Sequence, residues 1–532
     1  MLVLVGAALA QDHPAGERID EAIAAVAGEQ AFDQLGGLVS TLAPEAMELD
    51  PTGDEQGSGC FNYAYLIENM KVYVEILDTR ITPGSGVLDV EVDAEIAVND
   101  ASDPFDLTIE LFCNETYCPT YIDPFEATLI TDIALTLVED ADGNKVMDAT
   151  VSPFTLDNKL ASEDIHLDCS IATVETVLNI FGLSLYELII GMLESQLSDQ
   201  LEDTRADMEL QIEEAFADLR IEETVALGDA ELLILLEPED VRITETELTL
   251  VLAGSAEATS VAECIEDDDP GASVGTVGSV PGSESLDGRH AAILVSDDFG
   301  NQAAYAAWRG GMLCQSVSDG AGLTLDTSIL AALTGGVYEP LFDEPKPMVL
   351  AIRPHVPPTL ATTEPSPAVD LERFGMDMVA EVDDRMARVV AVELDALVEI
   401  PMSFDENTGE LAIDVGIDEE TLEVAVVHNE LVTGTDDEVA LAFVDGIGPF
   451  LDLAIGALAG SLSFDMPAFE GIGVTALEAG FFDDWLVIGV DLGEPLYEPA
   501  SCEDGCSGGC GVGGGLSGLL AMLAVGLVRR RE

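Results

Sequence analysis

Within residues 87–99, VLDVEVDAEIAVN, apolar and acidic side chains alternate from Leu88 to Ile96. Leu88, Val90, Val92, Ala94, Ile96 and Val98 fall on one side, and Asp89, Glu91, Asp93 and Glu95 on the other. A period of two puts one face of a β-strand on a core and the other in water. The pattern recurs at Ile133, Leu135 and Leu137, and at Leu248, Leu250 and Leu252. It returns at Val390, Val392 and Leu394, then at Leu411, Ile413, Val415 and Ile417. Long, strongly twisted antiparallel strands are expected in both halves of the chain.

Helical spacing interrupts the strands. Over residues 184–219, Leu185, Leu188, Ile189, Met192, Leu193, Leu197 and Leu201 form one apolar stripe, which resumes at Met208, Ile212, Phe216 and Leu219. Ser184, with Glu187 three residues on, has the pattern of a capping box. Further helices are expected at Ile19–Leu42, Thr327–Leu341 and Pro449–Leu462. Residues 265–288 are rich in Gly, Ser, Pro and Asp and read as a linker. The reading is an α+β chain of two barrel-like domains, 11–264 and 289–497. In each, a highly twisted antiparallel sheet wraps around a long helix, enclosing a packed core or a lined cavity.

The surface is extreme in sign: 18 Lys plus Arg oppose 104 Asp plus Glu, for a net charge of −86. Such a skin repels phosphate backbones and excludes nucleic acid as a partner. With 48% hydrophobic residues the chain nevertheless folds. The acidic face serves solubility in salt or gathers divalent cations.

Both ends read as export elements. Leu2–Leu9 is a short apolar stretch, and Ala8-Leu9-Ala10 a small-residue cleavage site, so residues 1–10 are read as a signal-peptide remnant. Residues 498–510 form a Cys- and Gly-rich spacer. Within 511–532 the apolar run Gly511–Val528 would span roughly 27 Å as a helix, closed by Arg529, Arg530 and Arg531. A C-terminal membrane helix is therefore expected, on a protein exported to the cell envelope. Between the ends lie Cys60, Cys113, Cys118, Cys169, Cys264 and Cys314, an even count that favours disulfides. Cys113 and Cys118 are close enough for a hairpin-type bridge; the other pairings stay open. No CxxC recurs, so no zinc site is expected.

The remaining motifs point away from catalysis. Asp140, Asp142, Asn144 and Asp148 match positions of a calcium loop, but Lys145 replaces its glycine and Val151 its bidentate glutamate. A hairpin turn at Asp142-Gly143-Asn144 is the better reading. The GxSxG match at Gly505–Gly509 lies in the tail without a strand-turn-helix context. His13, His166, His290, His355 and His428 are scattered. Any two of 104 carboxylates would satisfy a glycosidase pair, so their abundance carries no information. Trp308 and Trp485 fall in strand-like segments and read as core or barrel-rim residues, or as exposed residues at a lipid entrance. The chain is read as a non-enzyme without cofactor or metal site.

Three stretches carry a family resemblance. They are LDCSIATVETVLNIFGLSLYELIIGMLESQLSDQLED, RHAAILVSDDFGNQAAYAAWRGGML (Arg289–Leu313), and FVDGIGPFLDLAIGALAGSL followed by GIGVTALEAGFFDDWLVIGVDL (Gly471–Leu492). They resemble, in order, the last strands and long helix of the first domain, the opening strands of the second barrel, and the final helix and closing strands of the TULIP superfamily. That superfamily includes bactericidal/permeability-increasing protein, LPS-binding protein and cholesteryl ester transfer protein. The resemblance covers most of residues 17–495 and implies a boomerang of two barrels, each with an apolar lipid pocket. It also implies a bridging cysteine pair in the first domain, a part Cys60 and Cys169 could play. The chain departs from the antibacterial members in having few basic residues in its first half, so LPS binding is not carried over. The tail resembles the MYXO-CTERM sorting signal, with the Gly-Gly type a close alternative. This implies loss of the helix and attachment through Cys506 or Cys510 at the outer surface of a Gram-negative bacterium. A retained membrane anchor is the plainer reading.

The expected function is the binding or transfer of lipid or another apolar small molecule. The expected lining is Leu185, Leu188, Ile189, Met192 and Leu193 in the first half, and Phe450, Leu451, Leu453, Ile455 and Leu458 in the second. The alternative is a structural or adhesive surface protein with packed cores and a cation-bridged acidic face.

Overall fold

The computed structural model describes residues 17–39, 46–49, 51–58, 61–111, 113–141, 143–169, 185–227, 230–265, 269, 279–317, 325–362, 367–413, 416–417, 421–432, 436–459, 463–465, 468–469 and 472–497. Among these the strands form four antiparallel sheets. The central one has eight strands in the spatial order Ile221–Leu227, Ala230–Ile243, Glu247–Ala258, Ile19–Gly28, Ala291–Ser296, Trp485–Gly493, Ile472–Phe482 and Ala468–Phe469. The first described strand thus lies between the strand that precedes residues 265–288 and the strand that follows them. The two halves of the sequence share one continuous hydrogen-bonded sheet.

That position corrects the helix expected over Ile19–Leu42. Residues Ile19–Gly28 are a strand, and helix α1 occupies only Glu29–Val39. From Ala22 to Ala27 every residue is buried, on both faces. The alanines that favour a helix locally serve here as small side chains in a strand covered on both sides. Leu248, Leu250 and Leu252 face the main core, while Thr249, Val251 and Ala253 are buried on the opposite face.

The first half adds a ten-stranded outer sheet built on the 26-residue strand Asn114–Glu139. Leu88–Val98 pairs with it from Leu88 opposite Ile133 to Val98 opposite Ile122, with one register shift between Ile96 and Val98. Leu88, Val90, Ala94, Ile96 and Val98 are buried, as their alternation requires. The second half carries a seven-stranded sheet centred on Ala368–Val382 and Arg385–Glu399, and a three-stranded sheet of Met402–Asp405, Glu410–Ile413 and Ser463–Asp465.

Four further helices complete the described chain: α2, Leu185–Ala215; α3, Asp297–Arg309; α4, Thr327–Leu333; and α5, Asp436–Ala459. The segment Arg289–Leu313, expected as opening strands, is a strand followed by a helix. Ala291–Ser296 is a strand, and the Ser296 hydroxyl then accepts from the Phe299 N–H to cap α3, with Asp297 and Asp298 in its first turn. Trp308 lies in this helix instead of a strand. The helix expected over Thr327–Leu341 stops at Leu333, with Gly335 and Gly336 following at positive φ. The helix expected to start at Pro449 begins at Asp436 and runs through that proline.

The tail, 498–532, and residues 1–16 lie outside the described residues, and with them Cys506, Cys510 and Arg529–Arg531. No helix among the described residues is long and apolar enough to cross a membrane.

Candidate functional site: the helix stripe and the outer sheet

Helix α2 has two buried stretches. Near its start, Ile189, Met192 and Leu193 are 0%, 8% and 1% exposed. They join Ile67, Val72, Ile96, Phe105, Leu107, Ile122 and Phe125 of the outer sheet in one apolar cluster, flanked by Tyr186, Ile190, Leu156 and Leu160. Near its end, Ile212, with Phe216 and Leu219 just beyond, enters the main core beneath the central sheet. The stripe at three- and four-residue spacing is thus buried at both ends of the helix. Leu185 and Leu188 belong to α2, but their side chains lie outside the described set, as do those of Phe450, Leu451, Leu453, Ile455 and Leu458 on α5.

The described part of α5 reveals a stripe that the sequence reading missed. Val439, Phe443 and Ile447 are fully buried against Met376, Met378, Val390 and Val392 of the second-half sheet. The signal is the four-residue spacing of 439, 443 and 447, ahead of Pro449. Here α5 passes close to α4: a Cβ on Gly446 would lie 3.2 Å from the Ala332 carbonyl oxygen.

Charges near the first-half cluster are paired outside it. The Lys71 ammonium donates to Asp103 at 3.1 Å, and Lys159 binds Glu126. Hydrogen bonding to Asp103 holds the Lys71 ammonium above its ordinary value, and Glu126 does the same for Lys159. On the wet face, Glu75, Glu95 and Glu126 stand opposite one another across three strands, as do Asp89 and Asp132 across two. Partial burial, with Asp132 beside it, pushes the Asp89 carboxyl up. Among the described residues no group of His, Cys, Asp and Glu is placed to hold a metal ion.

The disulfides differ from both expectations. Cys118 bonds to Cys169, their Cα atoms 5.0 Å apart, and Cys264 bonds to Cys314. Ile165–Leu167 pairs with Asn114–Glu139 through Leu167 opposite Thr120; two more residues in that register bring Cys169 opposite Cys118. Cys113 cannot reach Cys118. It sits in the turn before the strand, and five residues of extended chain put the two roughly 15 Å apart, against the ~7 Å limit for a bridge. Cys113 is itself disulfide-bonded, and Cys60 lies outside the described residues.

The Asp140–Asn144 segment is a hairpin turn, as expected. The Asn144 amide donates to the Asp140 carboxylate at 2.9 Å, and Gly143 has φ +85°. Neither tryptophan is exposed at an entrance. Trp308 is 0% and Trp485 2% exposed, and the Trp308 indole donates to the Pro354 carbonyl at 3.0 Å. His166 stacks on Tyr121 and bonds to Asp123, and His290 Nδ1 accepts from the Leu492 N–H.

The sequence matches no protein-family model and has no significant match among curated proteins. Solved structures do match. Lipopolysaccharide binding protein superposes with a TM-score of 0.52 at 12% identity, over 90% of this chain and 100% of that one. P47 of Clostridium botulinum E1 aligns over 89% of this chain and 100% of that one, at TM-score 0.27 and 7% identity. Takeout 1 of Epiphyas postvittana aligns over 34% of this chain and 92% of that one, at TM-score 0.20 and 9% identity. The first of these shows a shared fold: a largely antiparallel, twisted-sheet architecture of the lipopolysaccharide-binding-protein type.

Proposed function

We propose that the protein binds lipid or another apolar small molecule, holding acyl chains between the helix stripes and the outer sheets at the surface of a bacterial envelope. The observation that carries this is the stripe Ile189, Met192 and Leu193, closed into an apolar cluster with the sheet face. It does so on a fold shared with a protein named for binding lipopolysaccharide. In this reading each outer sheet and its helix form one arm of a two-barrel boomerang. Binding is by burial: each methylene leaving water contributes ~0.8 kcal/mol, so a long acyl chain is held without charged contacts. The reading assigns the chain no chemical step. Attachment through Cys506 or Cys510 after loss of 511–532 belongs to the same reading; the intact mass of the protein recovered from its own cells tests it.

Native mass spectrometry of the delipidated chain, before and after incubation with a lipid extract, tests the main reading. A discrete added mass is expected, and a chain that gains none contradicts it. A second reading, a structural or adhesive surface protein with packed cores, draws on the near-zero exposure of the stripe. It predicts binding to cells or matrix that is lost with chelator and indifferent to lipid.

A further inference from the structure

The chain has 18 Lys and Arg residues, three of them in the tail. Of the fifteen that the structure describes, all but Arg385 form an ion pair with a carboxylate or donate to a backbone carbonyl. Arg385 sits at the exposed turn between two strands of the second-half sheet. Six arginines, Arg18, Arg80, Arg205, Arg220, Arg242 and Arg289, each face two or three carboxylates. An exposed ion pair is weak, and a lipid phosphate could displace one carboxylate. At these six it would still meet at least one more, so each cluster stays negative toward an incoming anion.

The other common anion site is also closed. A helix N-terminus offers unpaired N–H groups and a positive dipole end. Here Glu29 fills the first turn of α1, Glu187 that of α2, Asp297 and Asp298 that of α3, and Asp436, Asp437 and Glu438 that of α5. Each described helix of eight residues or more therefore presents its own carboxylates where a phosphate would sit.

We propose that the ligand carries no anionic headgroup: an uncharged lipid is preferred, and a cationic amphiphile is accepted. This rests on the lipid-binding reading above and narrows it. The fold is shared with a protein named for binding lipopolysaccharide. The charge distribution disfavours an anionic headgroup here while leaving the apolar contacts intact.

The test compares three probes with one chain length, dodecanol, dodecylamine and dodecanoate, as competitors of a polarity-sensitive dye bound to the full-length protein at pH 8. Sharing the tail cancels the burial contribution, so the ratio reports the headgroup. Dodecanol and dodecylamine are expected to displace the dye at concentrations at least about tenfold lower than dodecanoate in low salt. The gap should narrow in ~1 M salt, where the screening length falls to about 3 Å. Dodecanoate competing as well as dodecanol, or a gap indifferent to salt, overturns this inference and leaves lipid binding standing. Displacement by none of the three overturns the lipid-binding reading itself.

Discussion

Replacing Leu193 by alanine tests whether the first-half stripe is the buried face of α2. Leu193 is 1% exposed and sits in the same apolar cluster as Ile189 and Phe105. Truncation removes the transfer free energy of the lost carbons and leaves a cavity that the strand-held sheet cannot collapse around, together about 3–5 kcal/mol. Leu210 supplies the control: it is the same residue type on the same helix, but 53% exposed. Its truncation should change stability by no more than about 0.5 kcal/mol. Urea unfolding followed by far-ultraviolet circular dichroism separates the two. With a slope of about 3 kcal/mol per molar, Leu193→Ala should lower the midpoint by about 1–1.7 M and Leu210→Ala by under ~0.2 M. Equal shifts for the two variants would refute the assignment of the buried face.

Four further outcomes follow from named contacts. Peptide mapping without reduction should recover Cys118 linked to Cys169 and Cys264 linked to Cys314. Cys169→Ala opens a loop of sequence separation 51 and should cost about 4 kcal/mol in the chain-entropy account, read by thermal or urea unfolding. Gly254→Ala places a Cβ 2.8 Å from both Leu236 and Phe299 and 3.0 Å from Ala22; it should destabilise by about 1–3 kcal/mol, and a gain in melting temperature would contradict the close approach of α3 to the sheet. Asp89 is held above the ordinary carboxylate value, so its contribution is present at pH below that value and is lost as pH rises through its folded pKa. Asp326 and Asp405 are held below that value by hydrogen bonds to Ser328 and Asn407; they act in the opposite sense, losing stabilisation as pH falls through their folded pKa. Asp89→Asn should therefore stabilise at pH 7, with an advantage that shrinks as pH falls to the ordinary carboxylate value, read by melting temperature against pH.

The fold was legible where one face of an element is wet. Leu88–Val98 shows its alternation because its acidic side chains meet solvent, and the stripe of α2 shows because its other face carries Glu202 and Leu210 outward. Legibility failed where both faces are buried. Ile19–Gly28 has no polar rhythm past Glu21, so its alanines suggested a helix until the neighbouring strands Glu247–Ala258 and Ala291–Ser296 were in place. Arg289–Leu313 differs for a second reason: the resemblance implies strands, while Ser296 followed by two aspartates is a local helix-start signal. The disulfides were out of reach for a third reason. Spacing five apart suggested a hairpin bridge, but pairing depends on the register of Ile165–Leu167 against a distant strand, which no local pattern encodes.

Of the candidate site, Ile189, Met192 and Leu193 could be identified from spacing alone, whereas Val439, Phe443 and Ile447 were hidden behind the assumption that Pro449 opens its helix. A proline can be carried inside a helix whose apolar face is held by packing, and the local cost does not fix the helix start.

Photo-crosslinking with an acyl chain that bears a diazirine near its methyl end, mapped by peptide mass spectrometry, tests the central claim most directly. The account predicts label on the α2 segment Leu185–Leu193 and on strand residues facing it, such as Val72, Ile96 and Phe105. Label confined to exposed apolar residues such as Leu441 and Met386, or no label at saturating probe, would contradict it.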